Sequence, residues 1–279
     1  MIIMIPETPS GIFDMHTHIF PQKIAEKAVS AIGDFYKLEM HKKGYSEDLI
    51  EAGGSCGVKH FLVCSTATTP LQVTAINSFI AGEAERHPEF IGFGSLHPDY
   101  EDIEGETERI IALGLKGIKL HPDFQKFALD DAGAFGIYEA CGERLPLLVH
   151  TGDSRYSFSN PFRILRVLEN FPKLRIICAH LGGYSEWREV CELPGYLGNP
   201  NIFIDTSSAI QFMEPEKAAD IIRKHGADRV FWGSDYPMWA PEKELENFMK
   251  IPLTDDEREK ILYKNAGLFL EAGLKKEKL

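Results

Sequence analysis

The stretch Gly11-Ile12-Phe13-Asp14-Met15-His16-Thr17-His18 reads as a short β-strand that ends in two histidines at alternate positions. In a strand, residues i and i+2 share a face, so both imidazoles point into one space, as chelation of a metal ion requires. Imidazole nitrogen suits Zn²⁺ and its neighbours, and a catalytic centre takes roughly three protein ligands while keeping one position open. Other apolar runs end in the same kind of residue. His150 closes 145–150, His180 closes 174–180 and Asp235 closes 229–235, each just before Gly or Pro turn signals. A histidine at one strand end is ordinary. Ligand types recurring at that one position in several runs point to a shared site.

Outward from these ends, strand-like runs recur at 11–18, 58–66, 90–98, 115–122, 145–152, 174–182, 201–207 and 229–237. Helix-like segments lie between them at 21–32, 70–86, 101–113, 130–144, 160–170, 185–193, 215–225 and 241–250. Pro70, Pro215 and Gly226 supply the expected start and stop signals. Eight strands alternating with eight helices predict an α/β fold, a single (β/α)8 TIM barrel over 1–279. A doubly wound open sheet would carry a Gly-rich phosphate turn after its first strand, where this chain has His16-Thr17-His18-Ile19-Phe20. Barrel active sites sit at the C-terminal ends of the strands, where every candidate ligand falls.

Two features depart from regular spacing. The connection after strand one is extended, and its segment 33–54, with Tyr36, His41 and Tyr45, reads as a lid, a specificity insertion or a surface excursion. Thr254-Asp255-Asp256-Glu257 opens an extra C-terminal helix to about 272, with Thr254 as cap and Ile261, Leu262, Leu268 and Phe269 expected to close the bottom or flank of the barrel.

Composition narrows the partners. A formal charge of −12, from 30 basic against 42 acidic residues, leaves no electrostatic footprint for nucleic acid or anionic membrane. A small-molecule substrate is expected, and a homodimer stays open as the assembly. The five cysteines are scattered without C-x-x-C spacing, which argues against a disulfide framework or thiolate site; Cys64, Cys141 and Cys178 read as buried free thiols. The start lacks a basic region and a long apolar run, so a reducing, cytoplasmic location is expected.

The motifs Asp14-Met15-His16-Thr17-His18, Leu115-Lys116-Gly117-Ile118-Lys119-Leu120-His121-Pro122, His150-Thr151-Gly152, Ala179-His180-Leu181-Gly182-Gly183 and Gly233-Ser234-Asp235-Tyr236-Pro237 occur in one order along the chain. Together they resemble the amidohydrolase superfamily, in the branch of metal-dependent TIM-barrel hydrolases and decarboxylases called amidohydrolase family 2. The resemblance implies that His16, His18, His150 and Asp235 hold one divalent ion, commonly zinc. It also implies that His180 stands beside the reacting water or substrate, or ligates a second ion. In binuclear members such as dihydroorotase, a lysine in a setting similar to that of Lys119 is carbamylated and bridges two metals; the alternative is a charged residue paired with Asp235 or substrate.

Around this set, His97, His121 and Arg155 are candidate substrate contacts, and Asp14 is a candidate for orienting a ligand imidazole. The leading expectation is hydrolysis of a small amide, cyclic amide, ester or lactone by a metal-activated water, with Asp235 and His180 as the catalytic residues. The runner-up is non-oxidative decarboxylation of an aromatic or unsaturated acid. Relatives of that type tend to carry His-Gly-Gly-Gly after strand six, where this chain has His180-Leu181-Gly182-Gly183. A non-catalytic barrel with a structural metal is the third reading, disfavoured because such a metal would be saturated by protein ligands.

Overall fold

The computed structural model describes residues 11–274. Among these, the strands are β1 (Ile12–His18), β2 (Val58–Cys64), β3 (Phe90–Gly92), β4 (Gly94–Ser95), β5 (Ile118–Leu120), β6 (Leu147–Val149), β7 (Ile176–Cys178), β8 (Ile202–Asp205) and β9 (Val230–Phe231). All pair in parallel, in the orders β1-β2-β3 and β4-β5-β6-β7-β8-β9. Phe93 joins β3 and β4 into one barrel strand: its N–H donates to the Val63 carbonyl at 2.9 Å, and the N–H of Gly94 donates to Gly117 at 2.8 Å. At the other seam Met15 N–H donates to the Trp232 carbonyl at 2.9 Å, and Thr17 bridges Tyr236. The sheet therefore closes into the (β/α)8 barrel. Among the described residues, no helix is long and apolar enough to cross a membrane.

The barrel interior is packed with Met15, Leu62, Phe93, Leu148, Ile177 and Phe231. Phe269 plugs it, its ring 5.2 Å from that of Phe231 and 4.7 Å from that of Phe203. A second, larger core lies between strands and helices and includes Phe61, Ile118, Val149 and Ile222. Burial of such side chains contributes about 1.5–3 kcal/mol each, which makes this a rigid platform for the loops above it.

The C-terminal helix is not continuous. Asp255–Glu259 runs into a π turn at Lys260–Lys264 before Asn265–Leu274 resumes. A π turn inserts a residue and rotates the face that follows. Ile261, Leu262 and Phe269 are buried as expected, whereas Leu268 is 68 % exposed and closes nothing. Thr254 caps this segment: its hydroxyl accepts from Glu257 N–H at 3.2 Å, and the Glu257 carboxylate accepts from Thr254 N–H at 2.7 Å. Thr254→Ala is expected to cost about 1 kcal/mol of stability. An unshifted midpoint in urea unfolding would show that the box stabilises nothing.

The long connection after β1 holds two helices, α1 (Ala25–Tyr36) and α2 (Ser46–Ser55). Its return is pinned across the mouth, with His41 and Lys42 N–H donating to the Met238 and Pro237 carbonyls at 3.2 and 3.1 Å. The Tyr236 hydroxyl donates to Tyr45 O at 2.9 Å. The segment is thus a fixed wall of the site, and it delivers Tyr36 to the centre.

Candidate metal centre

The register between β1 and β2 pairs Asp14 with Phe61 and Thr17 with Val63, so β1 carries an extra residue there. A bulge of this kind re-aims side chains. Met15 stays in the barrel core, and the next residue, His16, also turns inward to meet Lys119. Asp14, expected to orient an imidazole, instead accepts from the backbone N–H of His16 at 3.3 Å and of Ser234 at 2.9 Å, so it ties two strand ends together.

The imidazole is held by Asp205 at the end of β8. One carboxylate oxygen lies 3.0 Å from His16 Nδ1, and the other accepts from His180 N–H at 3.1 Å, Ser207 N–H at 3.0 Å and the Ser207 hydroxyl at 2.5 Å. Burial alone would raise the Asp205 pKa, but His16, His180 and Ser207 more than offset it and hold the group ionised. That carboxylate keeps the proton on Nδ1 and leaves the lone pair of His16 Nε2 available to an ion. Asp205→Asn is expected to weaken divalent-metal affinity about 10–100-fold, the scale for outer partners of ligand histidines. Unchanged affinity by calorimetry would deny Asp205 this role.

At the mouth, Asp235 Oδ1 lies 3.3 Å from His18 Nε2 and 3.7 Å from His16 Nε2. Donor atoms sharing one ion at about 2.1 Å stand about 3.0–4.2 Å apart, so His16, His18 and Asp235 suit a single divalent ion. The second Asp235 oxygen accepts from the Ser208 hydroxyl at 2.5 Å. His180, Ser208 and Asp235 all take left-handed backbone angles, with φ of 62°, 48° and 58°. Such conformations cost of order 1–3 kcal/mol for non-glycine residues and gather at functional sites. Here they turn the chain sharply at strand ends.

Lys119 is buried on β5 with Nζ 2.9 Å from His16 Nε2, and burial lowers its pKa. An ion on His16 Nε2 and this lysine contact compete for one lone pair. His16 is itself pushed down to about 4, first by burial and then by Lys119. For Asp235, burial acts upward, yet His16, His18 and His180 hold it well below the carboxylate range.

A second group adjoins the first. His150 Nδ1 is 3.0 Å from His180 Nε2, and its Nε2 lies 3.5 Å from the Tyr36 hydroxyl and 3.7 Å from Asp123. The Tyr36 hydroxyl also lies 2.9 Å from His121 Nε2, and the His121 and His150 rings stack with centroids 4.0 Å apart. These partners admit a consistent assignment of protons. His180 Nδ1–H donates to the Ser207 carbonyl at 2.9 Å, its bare Nε2 accepts from His150 Nδ1–H, and His150 Nε2 faces the Tyr36 hydroxyl. His150 therefore groups with His121 and Asp123, while His16, His18 and Asp235 form their own set and His16, His180 and Asp205 a third. The four ligands implied by the resemblance are divided between adjacent groups. Asp123 is pushed up to about 7 by burial, and one of its oxygens has no hydrogen-bond partner.

Tyr36, Asp123 and Ser208 open on a cavity of about 840 Å³, whereas Asp14, Asp205 and Ser207 stand behind it. Lys119, His121, His150 and His180 line it together with the His16, His18 and Asp235 set; Arg155 and His97 do not. The Arg155 guanidinium is committed to Asp153, at 2.9 and 2.6 Å, and to the Phe35 carbonyl at 2.7 Å, so it anchors the end of α1 rather than offering itself to a substrate carboxylate. His97 Nδ1 accepts from Asp99 N–H at 3.2 Å. Sequence reasoning missed Asp205, Asp123, Ser207 and Ser208 and gave Tyr36 no role. Ile202-Phe203-Ile204-Asp205 does carry the signal, an apolar run ending in an acid, as in the run that ends at Asp235.

A closed parallel barrel with histidines and a carboxylate gathered at its mouth defines the architecture of a large class of TIM-barrel enzymes. Within it, residues 13–270 match the amidohydrolase family, to which this chain belongs. An uncharacterized TIM-barrel protein from Bordetella bronchiseptica superposes with a TM-score of 0.77 at 21% identity, over 94% of this chain and 99% of that one. A dihydroxybenzoic acid decarboxylase from Polaromonas sp. JS666, solved with manganese and 2-nitroresorcinol, gives a TM-score of 0.71 at 18% identity, over 94% and 97%. At these identities the likeness shows the shared fold. A curated relative, decarboxylase orsB of Emericella nidulans, is 27% identical over 130 residues, which cover 40% of this chain and 38% of that protein.

Proposed function

We propose that this chain is a metal-dependent hydrolase that cleaves an amide, cyclic amide, ester or lactone with water. Its metal dependence rests on the convergence of His16, His18 and Asp235 beside a cavity large enough for substrate, and the choice of hydrolysis on His180-Leu181-Gly182-Gly183 standing where decarboxylase relatives tend to carry His-Gly-Gly-Gly. These three residues would hold one divalent ion, with His150 in the adjoining group on the same cavity. When bound, such an ion supplies Lewis acidity that makes water a nucleophile at neutral pH and polarises a carbonyl. Zinc suits the nitrogen and oxygen donors, and so does manganese, the ion in the Polaromonas decarboxylase.

The chain's own groups supply proton handling. Asp235, ionised and facing the cavity, takes a proton from the attacking water and returns it to the leaving group. His180 Nε2 accepts from His150 Nδ1–H, so a proton reaches it by way of His150, and it is not placed to donate to an oxyanion. Asp205, through His16 Nδ1, positions the ligand imidazole.

A second reading, loss of CO₂ from an aromatic or unsaturated acid with a proton replacing it on carbon, is favoured by the names of the Emericella and Polaromonas relatives. One experiment separates the two. Metal-stripped protein, reloaded with zinc or manganese, is assayed on lactones, cyclic amides and aromatic acids for both hydrolytic product and CO₂. Hydrolysis that disappears on chelation and returns with metal is expected. Release of CO₂ alone would move the assignment to the decarboxylase, and turnover indifferent to chelation would sink both.

A further inference from the structure

Helix α1 carries two apolar faces. Ala25, Val29 and Gly33 are buried against the body of the protein, while Ile24, Ala28, Ile32 and Phe35, spaced along the helix at i, i+4, i+8 and i+11, line the cavity instead. Leu71 and, from α3 (Val73–Arg86), Ile76 and Phe79 line the same cavity. Leu71 is 93 % exposed and Ile24 is 51 % exposed. Large apolar side chains left open in one cleft mark a binding site. The cleft is continuous with the polar floor, where Lys119, His18 and Asp235 stand.

The size of the cavity bears on its occupant. At about 30 Å³ per non-hydrogen atom, the share of a water molecule in liquid, the cavity has room for roughly thirty such atoms, and a single-ring acid brings roughly a dozen. The ring would leave the α1 and α3 walls unfilled.

We propose that these walls bind an extended apolar body of the substrate. The reacting carboxylic acid derivative sits at the Lys119 and Asp235 end, and an alkyl or polycyclic group of roughly eight or more carbons runs outward between α1 and α3. The proposal rests on the reading of the floor as the reaction centre. It narrows the amide, ester or lactone to one with a long hydrophobic part.

The test is calorimetric titration of the metal-loaded full chain with acetate, butyrate, octanoate and decanoate. Each added methylene is expected to tighten binding about fourfold, so octanoate binds about 10²-fold tighter than butyrate. Leu71→Asp and Ile24→Asp place a charge at exposed positions where folding is not at stake, and each is expected to weaken octanoate about tenfold while sparing acetate. Octanoate that binds no tighter than butyrate, in protein that binds metal and turns over, overturns the apolar site and leaves the hydrolase reading standing. A chain-length gradient that is lowered by both variants in protein that takes up no metal supports the apolar site and sinks the metal reading instead. A gradient unaffected by either variant places the apolar contact elsewhere and overturns the proposal, as does a dimer in sedimentation that both Leu71→Asp and Ile24→Asp dissociate.

Discussion

Replacing His16 by Ala is expected to remove bound metal and catalysis together. His16 is the residue on which the centre converges: its Nε2 faces Asp235 at 3.7 Å and Lys119 at 2.9 Å, and its Nδ1 is held by Asp205 at 3.0 Å. Without it, His18 and Asp235 remain as a bidentate pair, below the roughly three ligands a catalytic ion needs. Lewis-acid stabilisation amounts to several kcal/mol, so turnover should fall by about 10³-fold or more. The fold should survive, because Asp205 keeps three other donors, the His180 and Ser207 N–H groups and the Ser207 hydroxyl. Metal content by elemental analysis and turnover are measured on the same sample, with circular dichroism to confirm folding. Full activity in the variant would end the metal assignment, and metal retained without activity would show that His16 serves the chemistry and not the ion.

The barrel was legible because its period is written in short apolar runs, and ligand types at their C-terminal ends marked which end is chemical. His16, His18 and Asp235 are recoverable from that logic alone. Side-chain facing inside β1 was not, because the extra residue between Asp14 and Thr17 breaks strict alternation and shows only in the pairing with Phe61 and Val63. Strict period two had put Asp14 on the face of His16; in the folded chain it holds backbone N–H groups. Arg155 looked free in sequence, yet Asp153 two positions before it and the Phe35 carbonyl 120 positions before it take up its guanidinium. Tyr36 reaches the centre only because the long first connection folds back over the mouth, a tertiary event with no local signature. Leu268 is the exception in the last helix: beyond the π turn Phe269 faces the barrel, and Leu268 beside it faces outward.

His180→Asn is expected to keep near-stoichiometric metal and to lose roughly 10²–10⁴-fold in turnover, the usual scale for general acid–base catalysis. The substitution is chosen for what it preserves. Asparagine tolerates the left-handed backbone angle, φ 62°, that His180 adopts. Its amide nitrogen reaches about as far as Nδ1, so donation to the Ser207 carbonyl, 2.9 Å away in the parent, is retained. What disappears is Nε2, the bare ring nitrogen 3.0 Å from His150 Nδ1. The cost then falls on proton transfer, and the set of His16, His18 and Asp235, which does not include His180, is expected to keep the ion. A drop in kcat with metal affinity unchanged identifies a proton carrier. Substantial metal loss would place the ion in the neighbouring group of His16, His180 and Asp205, make His180 a ligand, and reopen a two-ion centre in which Lys119 bridges.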